Sequence, residues 1–175
     1  LKAQTSDCPN FDFSQRNFTN WRTQTYNQLG LHSTAYSDLT LTDTNAPAWR
    51  FEIMTYISGY DQNTCNGYPN SALKLIPDGY YQSARVGNDF TLYEAEAIIY
   101  SLTVDSSNAL LLLHHAIVFN DPGHPTFYQP RFELRIQDSN RNLINGIYNN
   151  HVVIAGGGVP GFISCGSSLD WKDWS

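Results

Sequence analysis

Apolar and polar residues alternate with a period of two along much of the chain, and this pattern predicts β-strands. In "RFELRIQD", residues 131–138, Phe132, Leu134 and Ile136 alternate with charged and amide side chains. The same alternation predicts strands over residues 37–43 ("SDLTLTD") and 49–57 ("WRFEIMTYI"), and a shorter one over 151–156 ("HVVIAG"). One face of each such strand is expected to be buried and the other solvated.

Two strongly apolar segments need separate arguments. "LYEAEAIIYSL", residues 92–102, begins with good helix formers, but Ile98 and Tyr100 alternate with Ile99 and Ser101 in its second half, which favours a strand. "ALLLLHHAIVF", residues 109–119, is apolar on both faces, as is typical of a central strand. No window sustains the i, i+3, i+4, i+7 spacing of an amphipathic helix.

Turn-forming residues separate these segments. Clusters rich in Gly, Pro, Asn, Asp and Ser occupy "SGYDQNTCNGYPNS" (58–71), "IPDGYY" (76–81), "NDPGHP" (120–125), "DSNRN" (138–142) and "AGGGVPG" (155–161). Short strands separated by such turns predict an all-β fold, namely an antiparallel β-sandwich or jelly roll. A chain of 175 residues suits one domain, which we place at residues 8–175 after an arm at 1–7. Residues 1–4 fit the remnant of a cleaved export signal.

Composition favours an extracellular β-protein. Charged residues make up 15% of the chain and aromatics 14%, with eleven tyrosines. The net charge of −6 argues against a nucleic-acid partner, and no apolar run approaches the roughly 18 residues of a membrane span. Cys8, Cys65 and Cys165 lie in turn-rich segments, which predicts disulfide bonding in an exported protein. Because three is odd, one cysteine is expected to be free, to bond another chain, or to have lost its partner.

Candidates for catalysis are weak, and we predict that the chain is not an enzyme. Asp121 and His124 share a proline-clamped turn without an evident nucleophile, and the Asp121 carboxylate is expected to cap that turn. Glu94 and Glu96 share one strand face about 7 Å apart. No cleft-forming segment flanks them, so they are predicted to be solvated rather than a glycosidase pair. His114 and His115 are adjacent on a predicted strand and would point to opposite faces, so they are expected to be one buried and one surface histidine.

Loop aromatics and amides are the best candidates for ligand contacts, because a flat ring stacks on a sugar face while polar groups bond its hydroxyls. Three loops carry such residues: 58–71, 77–85 ("PDGYYQSAR") and 124–131 ("HPTFYQPR"). The predicted ligand-binding residues are Tyr60, Asp61, Asn63, Tyr68, Tyr81, Arg85 and Tyr128.

Several segments together resemble a known class of protein. They are "CPNFDFSQRNFTNW", "RFEIMTYISGYDQNTC", "LKLIPDGYYQSARVGN", "AEAIIYSLTV", "HHAIVFNDPGHPTFYQPRFELRIQDSNRNLI" and "VPGFISCG". The chain from Cys8 onward resembles the amino-terminal β-sandwich of large secreted cell-surface proteins of Bacteroidota, of gliding-motility or adhesin type. Its opening segment is also similar to the first strand of jelly-roll, galactose-binding-like carbohydrate-binding modules. The segment "FNDPGHPTFYQPRFELRI" carries the most specific part of the resemblance.

The resemblance implies a function and a place of action. Such proteins are exported by type IX secretion and act at the cell surface, so the expected role is non-catalytic recognition or adhesion. The expected partner is a polysaccharide or a cell-surface protein. The alternative is a structural domain of a surface filament or secretion-associated assembly, with other chains as partners, and a hydrolase is third. Carbohydrate-binding jelly rolls often hold one structural calcium, and Asp12 stands at the acidic position of the opening motif.

One departure concerns the carboxyl-terminal segment "DWKDWS". In proteins of the resembled type this stretch leads into further strands, one of them with a cysteine. We therefore expect the jelly roll to lack its last strands here and the natural chain to continue, which would also account for the odd cysteine.

Overall fold

The computed structural model describes residues 8–27, 41–56, 58–65, 72–90, 94–106, 110–121, 123–144, 150–156, 159–166 and 168–175. These residues form strands and one turn of 3-10 helix, Thr126–Tyr128, and contain no α-helix. The strands are β1 (Trp21–Asn27), β2 (Thr42–Thr44), β3 (Phe51–Met54), β4 (Ser83–Val86), β5 (Glu94–Tyr100), β6 (Ile117–Asn120), β7 (Arg131–Arg135), β8 (Asn150–Ile154), β9 (Ile163–Cys165) and β10 (Leu169–Lys172). Every strand pairing is antiparallel, so the predicted all-β, antiparallel class is confirmed. The jelly-roll topology stays a prediction.

The chain folds into two compact units, each built from two stretches of sequence. Unit 1 comprises Leu1–Tyr60 and Lys74–His114, and unit 2 comprises Asp61–Leu73 and His115–Ser175. The expected arm at residues 1–7 lies outside the described residues, and the single domain at 8–175 stays a prediction. No helix in the described part of the chain is long and apolar enough to cross a membrane.

Unit 1 contains a three-stranded sheet in the order β2-β1-β5 and the two-stranded pair β3-β4. Strands β1 and β5 pair along their full length, from Trp21 opposite Tyr100 to Asn27 opposite Glu94. In β5 the period-two pattern therefore outweighs the helix propensity of its Glu and Ala residues, because pairing with β1 satisfies the backbone along the strand.

An aromatic cluster covers one end of the β1–β5 pair. The rings of Phe11 and Phe13 lie nearly parallel to Trp21, with centroids 5.5 and 4.7 Å away, and Tyr100 meets Trp21 at 4.9 Å. The buried Asn10 organises the loop that brings them there. Its amide donates to the carbonyl oxygens of Asn17 and Thr19, and its φ of 60° is one that asparagine tolerates.

Unit 2 contains a three-stranded sheet in the order β6-β10-β9 and the pair β7-β8. Its core holds Ile117, Phe119 and Ala155, and partly buried Phe132, Val153 and Phe162 pack against them. In β6 the buried positions alternate, Ile117 and Phe119 being buried and Asn120 exposed. The predicted strands over 131–138 and 151–156 are observed as β7 and β8.

Several predicted strands are shorter than their sequence patterns. The strand predicted over 49–57 is only β3, and the one predicted over 37–43 is described only as β2, since residues 28–40 lie outside the described part. The prediction of a central strand over 109–119 is wrong for its first half. Residues 110–116 form no strand, and the leucines from Leu110 to Leu113 have exposed fractions of 79, 46, 59 and 42%. Segment 110–113 therefore carries apolar side chains that the described residues leave open to solvent.

A disulfide joins Cys65 to Cys165 within unit 2, with the two Cα atoms 5.2 Å apart. Cys8 is the free thiol among the described residues. The predicted disulfide is thus confirmed and the odd cysteine is Cys8; a bond from Cys8 to another chain stays a prediction. The bond ties the segment that begins unit 2 to β9, 100 residues further along the chain.

Candidate functional site: an exposed tyrosine surface

Four tyrosines of unit 1 lie around one end of the β3–β4 pair. Met54 is opposite Ser83 in the last rung of this pair. Tyr56 follows Met54 by two residues and Tyr81 precedes Ser83 by two, so both leave the pair from the same end. We name Tyr56, Tyr60, Tyr80 and Tyr81 the tyrosine surface; their exposed fractions are 70, 50, 36 and 74%.

A tight turn between Tyr56 and Gly59 leads to Tyr60. The Gly59 N–H donates to the Tyr56 carbonyl, and a Cβ on Gly59 would lie 2.9 Å from the Tyr56 ring and 2.7 Å from Leu75. Only glycine fits this contact without a shift of its neighbours. Tyr60 then forms an isolated antiparallel bridge with Lys74, and Leu75 donates its N–H to the Gly59 carbonyl. This bridge fixes Tyr60 against the segment that leads to the other two tyrosines.

Tyr80 and Tyr81 lie in a turn that begins at Pro77. The turn is closed by a hydrogen bond from the Tyr80 N–H to the Pro77 carbonyl, and Gly79 supplies its left-handed residue with φ of 87°. Lys74 Nζ lies 2.7 Å from Asp78 Oδ1 across this turn. The Tyr80 ring centroid is 5.2 Å from that of the exposed His114. The surface therefore combines flat rings with a cation, a carboxylate and an imidazole.

The predicted ligand-binding residues fall in both units. Tyr60 and Tyr81 belong to the tyrosine surface. Arg85 lies in unit 1 inside β4, opposite Glu52, and its guanidinium pairs with the Glu52 carboxylate at 2.8 Å. Arg85 is two rungs from the Met54–Ser83 end of the pair. Its guanidinium therefore stabilises the pairing of β3 with β4 and is not part of the tyrosine surface.

Three other predicted residues belong to unit 2. The chain passes from unit 1 to unit 2 between Tyr60 and Asp61. The Asp61 carboxylate accepts the Asn63 N–H at 2.8 Å, which closes an Asx turn. Tyr128 is half-buried at the end of the 3-10 helix. Tyr68 lies outside the described residues.

Tyr56 is a surface residue that the sequence did not predict, because the strand predicted over 49–57 ends at Met54. Of the two adjacent histidines, one was predicted to lie at the surface; His114 is exposed and His115 is half-buried. Both precede β6, which begins only at Ile117. The turn residues Ser58 and Gly59 were the signal that Tyr56 leaves the sheet.

Asp12, the predicted calcium ligand, is exposed and caps its own loop. Its Oδ1 accepts the Ser14 N–H at 2.9 Å, and its backbone carbonyl accepts the Gln82 amide at 3.1 Å. Within the described ranges no three His, Cys, Asp or Glu side chains group together as metal ligands. The calcium site stays a prediction that would have to draw on backbone oxygens.

Glu94 and Glu96 are not solvated, contrary to prediction. Their side chains are 10 and 11% exposed, and both pair with the buried guanidinium of Arg50, at 2.6 and 3.1 Å. Asn88 also donates to Glu94, and the Arg50 guanidinium lies 4.6 Å from the centre of the Trp49 ring. Burial raises the pKa of Glu96, an effect that Arg50 opposes and Glu94 reinforces. Both carboxylates are thus held by one buried cation, so the cluster ties the residue before β3 to β5.

Asp121 caps its turn as predicted. Its Oδ1 accepts the Gly123 N–H at 2.8 Å and the amide of the buried Gln129 at 2.6 Å. His124 is exposed. The carboxylate is occupied by these two donors.

Open depressions in the surface of the described residues include one in each unit. One, of about 440 Å³, is lined in unit 1 by Asp43, Thr44, Asn45 and Pro47. The other, of about 380 Å³, lies in unit 2 and is lined by Gln62, Asn63, Thr64, Cys65, Ser164, Cys165 and Gly166. The second has the disulfide in its wall. Asn63, a predicted ligand-binding residue, lines this cavity.

No family model, no curated protein and no solved structure matches this chain. The function is therefore argued from its own residues.

Proposed function

We propose that this chain is a non-catalytic recognition domain of a secreted, cell-surface protein, and that it binds a polysaccharide through the tyrosine surface. The observation that carries the proposal is the exposure of four tyrosines around one end of the β3–β4 pair. Exposed aromatic rings grouped at one end of a strand pair are typical of a surface that binds a partner.

The chemistry of the tyrosine surface fits a sugar chain. A phenol ring offers an apolar face that stacks on the C–H face of a pyranose, and its hydroxyl bonds the ring substituents. Lys74, Asp78 and His114 supply polar groups beside the rings, as specificity for hydroxyls requires. The short turns that hold the tyrosines are closed by backbone hydrogen bonds, so little ordering accompanies binding.

The disulfide bond of unit 2 supports the proposal that the protein is exported. A disulfide between Cys65 and Cys165 is expected to persist where the surroundings are oxidising, outside the cytosol. The low content of charged residues and the eleven tyrosines point the same way. Type IX secretion and a gliding or adhesion role follow only from the resemblance and form part of the proposal.

The test is affinity electrophoresis through gels that contain soluble neutral or acidic polysaccharides. We expect at least one polysaccharide to retard the protein, and Tyr81→Ala to weaken this interaction about tenfold, which is about 1.4 kcal/mol. Phe90→Ala is the matched control, because Phe90 is 59% exposed in the same unit but outside the tyrosine surface. The proposal is contradicted if no polysaccharide retards the protein, or if Phe90→Ala weakens the interaction as much as Tyr81→Ala does.

A structural role in a surface assembly is the second candidate. The observation that favours it is segment 110–113, whose four exposed leucines lie outside any strand of the described residues. Backbone and side chains of this kind can be covered by a strand from another chain. Sedimentation velocity on the same samples separates the two roles. Self-association without polysaccharide binding would favour the assembly.

A further inference from the structure

Two N–H groups point at the same sulfur of the Cys65–Cys165 disulfide. The indole Nε1 of Trp171 lies 3.1 Å from Cys165 Sγ, and the backbone nitrogen of Cys65 lies 3.2 Å from it. Trp171 is 3% exposed, and β10 holds it beside β9, where it faces Cys165 diagonally across the strand pair. Both donors are therefore fixed by the fold before any reaction begins.

Negative charge on β10 lies on the other face of this strand pair. Asp170 is opposite Ser164 in the register, and its carboxylate accepts the Ser164 hydroxyl at 2.5 Å. Because neighbouring residues of a strand point to opposite faces, Asp170 and Ser164 face away from Trp171 and Cys165. The hydrogen bonds that Cys165 Sγ accepts from the described residues thus come from two N–H donors.

The cavity of about 380 Å³ gives access to the disulfide. Its wall includes both cysteines together with neutral polar residues of the two segments that the bond joins. A volume of this size accommodates a small organic molecule. A low-molecular-weight thiol can therefore approach the sulfur atoms without unfolding unit 2.

We propose that Cys65 is a site of S-thiolation by a low-molecular-weight thiol, with Cys165 as the leaving group. The incoming thiolate attacks Cys65 Sγ and forms a new S–S bond. The Cys65–Cys165 bond breaks, and its electron pair stays on Cys165 Sγ as a thiolate. The products are a mixed disulfide at Cys65 and a thiolate at Cys165, so atoms and electrons balance without a further oxidant.

The two N–H donors set the direction of this exchange. In thiol–disulfide exchange the sulfur that becomes the more stable thiolate leaves faster. Hydrogen bonds from N–H groups stabilise a thiolate and lower the pKa of its thiol. The donors at Cys165 Sγ therefore favour attack at Cys65. The small thiol approaches through the cavity, whose wall includes Asn63 and both cysteines.

The experiment uses the full chain with Cys8→Ser, which removes the free thiol and leaves the disulfide intact. The protein is incubated with reduced glutathione in the absence of oxidant, quenched with acid, and mapped by peptide mass spectrometry. We expect the glutathione adduct on Cys65 to exceed that on Cys165 by roughly threefold or more, about the effect of one unit in leaving-thiol pKa. Equal adducts, or an excess on Cys165, would overturn the proposal.

A second variant tests the cause of the preference. Trp171→Phe in the same background removes the indole donor, and we expect the rate of adduct formation on Cys65 to fall roughly threefold. Trp49→Phe is the control, because Trp49 belongs to unit 1. If Trp171→Phe leaves both the rate and the Cys65 preference unchanged, the donors do not direct the reaction. If Trp171→Phe fails to fold, the ratio of Cys65 to Cys165 adducts in the Cys8→Ser protein still tests the proposal.

Discussion

Arg50 is the one charged side chain of the described residues that is almost fully buried, at 1% exposed. Its guanidinium, one residue before β3, pairs with Glu94 and Glu96 of β5 through two of its nitrogens, Nη2 and Nε. The sequence could not reveal this cluster. Arg50 is more than forty positions from the two glutamates, and each of the three alone is typical of a solvated face.

Loss of Arg50 is expected to be strongly destabilising. Arg50→Met leaves two carboxylates buried without a cation, so we expect unfolding free energy to fall by about 3–5 kcal/mol. Arg85→Met is the matched control, because the Arg85–Glu52 pair is exposed and worth about 0–1 kcal/mol. Urea unfolding followed by tryptophan fluorescence measures both. If the two variants lose similar amounts of unfolding free energy, the buried ion pairs of Arg50 stabilise the fold no more than the exposed Arg85–Glu52 pair does.

Glu96 gives unit 1 a stability that depends on pH. Because burial raises its pKa above the ordinary 4.5, the folded chain keeps this proton where the unfolded chain has released it. The stability contributed by Glu96 is therefore fully present below about pH 4.5 and is lost as pH rises through the folded-state pKa. The urea midpoint of the native protein should fall as pH rises from about 4.5 through the folded-state pKa of Glu96, and Glu96→Gln should reduce this fall. If the midpoint of Glu96→Gln falls as steeply with pH, Glu96 is not the group responsible.

At the scale of single elements, periodicity predicted which segments form strands better than it predicted where they end. Strands β5, β7 and β8 lie where alternation is clear. The strand expected over 109–119 begins only at Ile117, because a run that is apolar on both faces has no register that distinguishes inside from outside. In this run burial is decided by tertiary contacts that begin at Ile117, with Phe119 and Ala155.

Substitutions on either side of this boundary should differ sharply. Ile117→Ala opens a cavity in the core of unit 2 and is expected to cost about 2–4 kcal/mol. Leu112→Ala removes a side chain that is 59% exposed, and we expect a change within about 0.5 kcal/mol. Thermal denaturation by circular dichroism checks both. A large loss in Leu112→Ala would show that segment 110–113 is covered in solution.

At the scale of the whole molecule, the all-β class was predictable and the partition into units was not. Turn residues and alternation are local features, and they suffice for an antiparallel architecture. The assignment of Asp61–Leu73 to the same unit as His115–Ser175 depends on contacts between distant parts of the chain. Among them is the Cys65–Cys165 bond, and three cysteines in a sequence leave its pairing open.

The tyrosine surface was also predictable only in part, because it combines local turn residues with the pairing of distant strands. Tyr60 and Tyr81 were identified because they lie in segments rich in turn residues. Tyr56 was missed because the end of β3 depends on its pairing with β4, and not on residues 55–57 themselves. The pairing also explains why Tyr56 and Tyr81, 25 positions apart in the sequence, emerge at the same end.

The interleaved order of the two units has a consequence for synthesis. Because Asp61–Leu73 is made before Lys74–His114, the first part of unit 2 emerges while most of its partner strands do not yet exist. All of unit 1 has been synthesised once His114 is added. Segment Asp61–Leu73, thirteen residues long, can pack only after the carboxyl-terminal third of the chain has been made. No single cut in the gene yields either unit whole. A fragment that is to contain unit 2 alone needs its two stretches rejoined by a new linker.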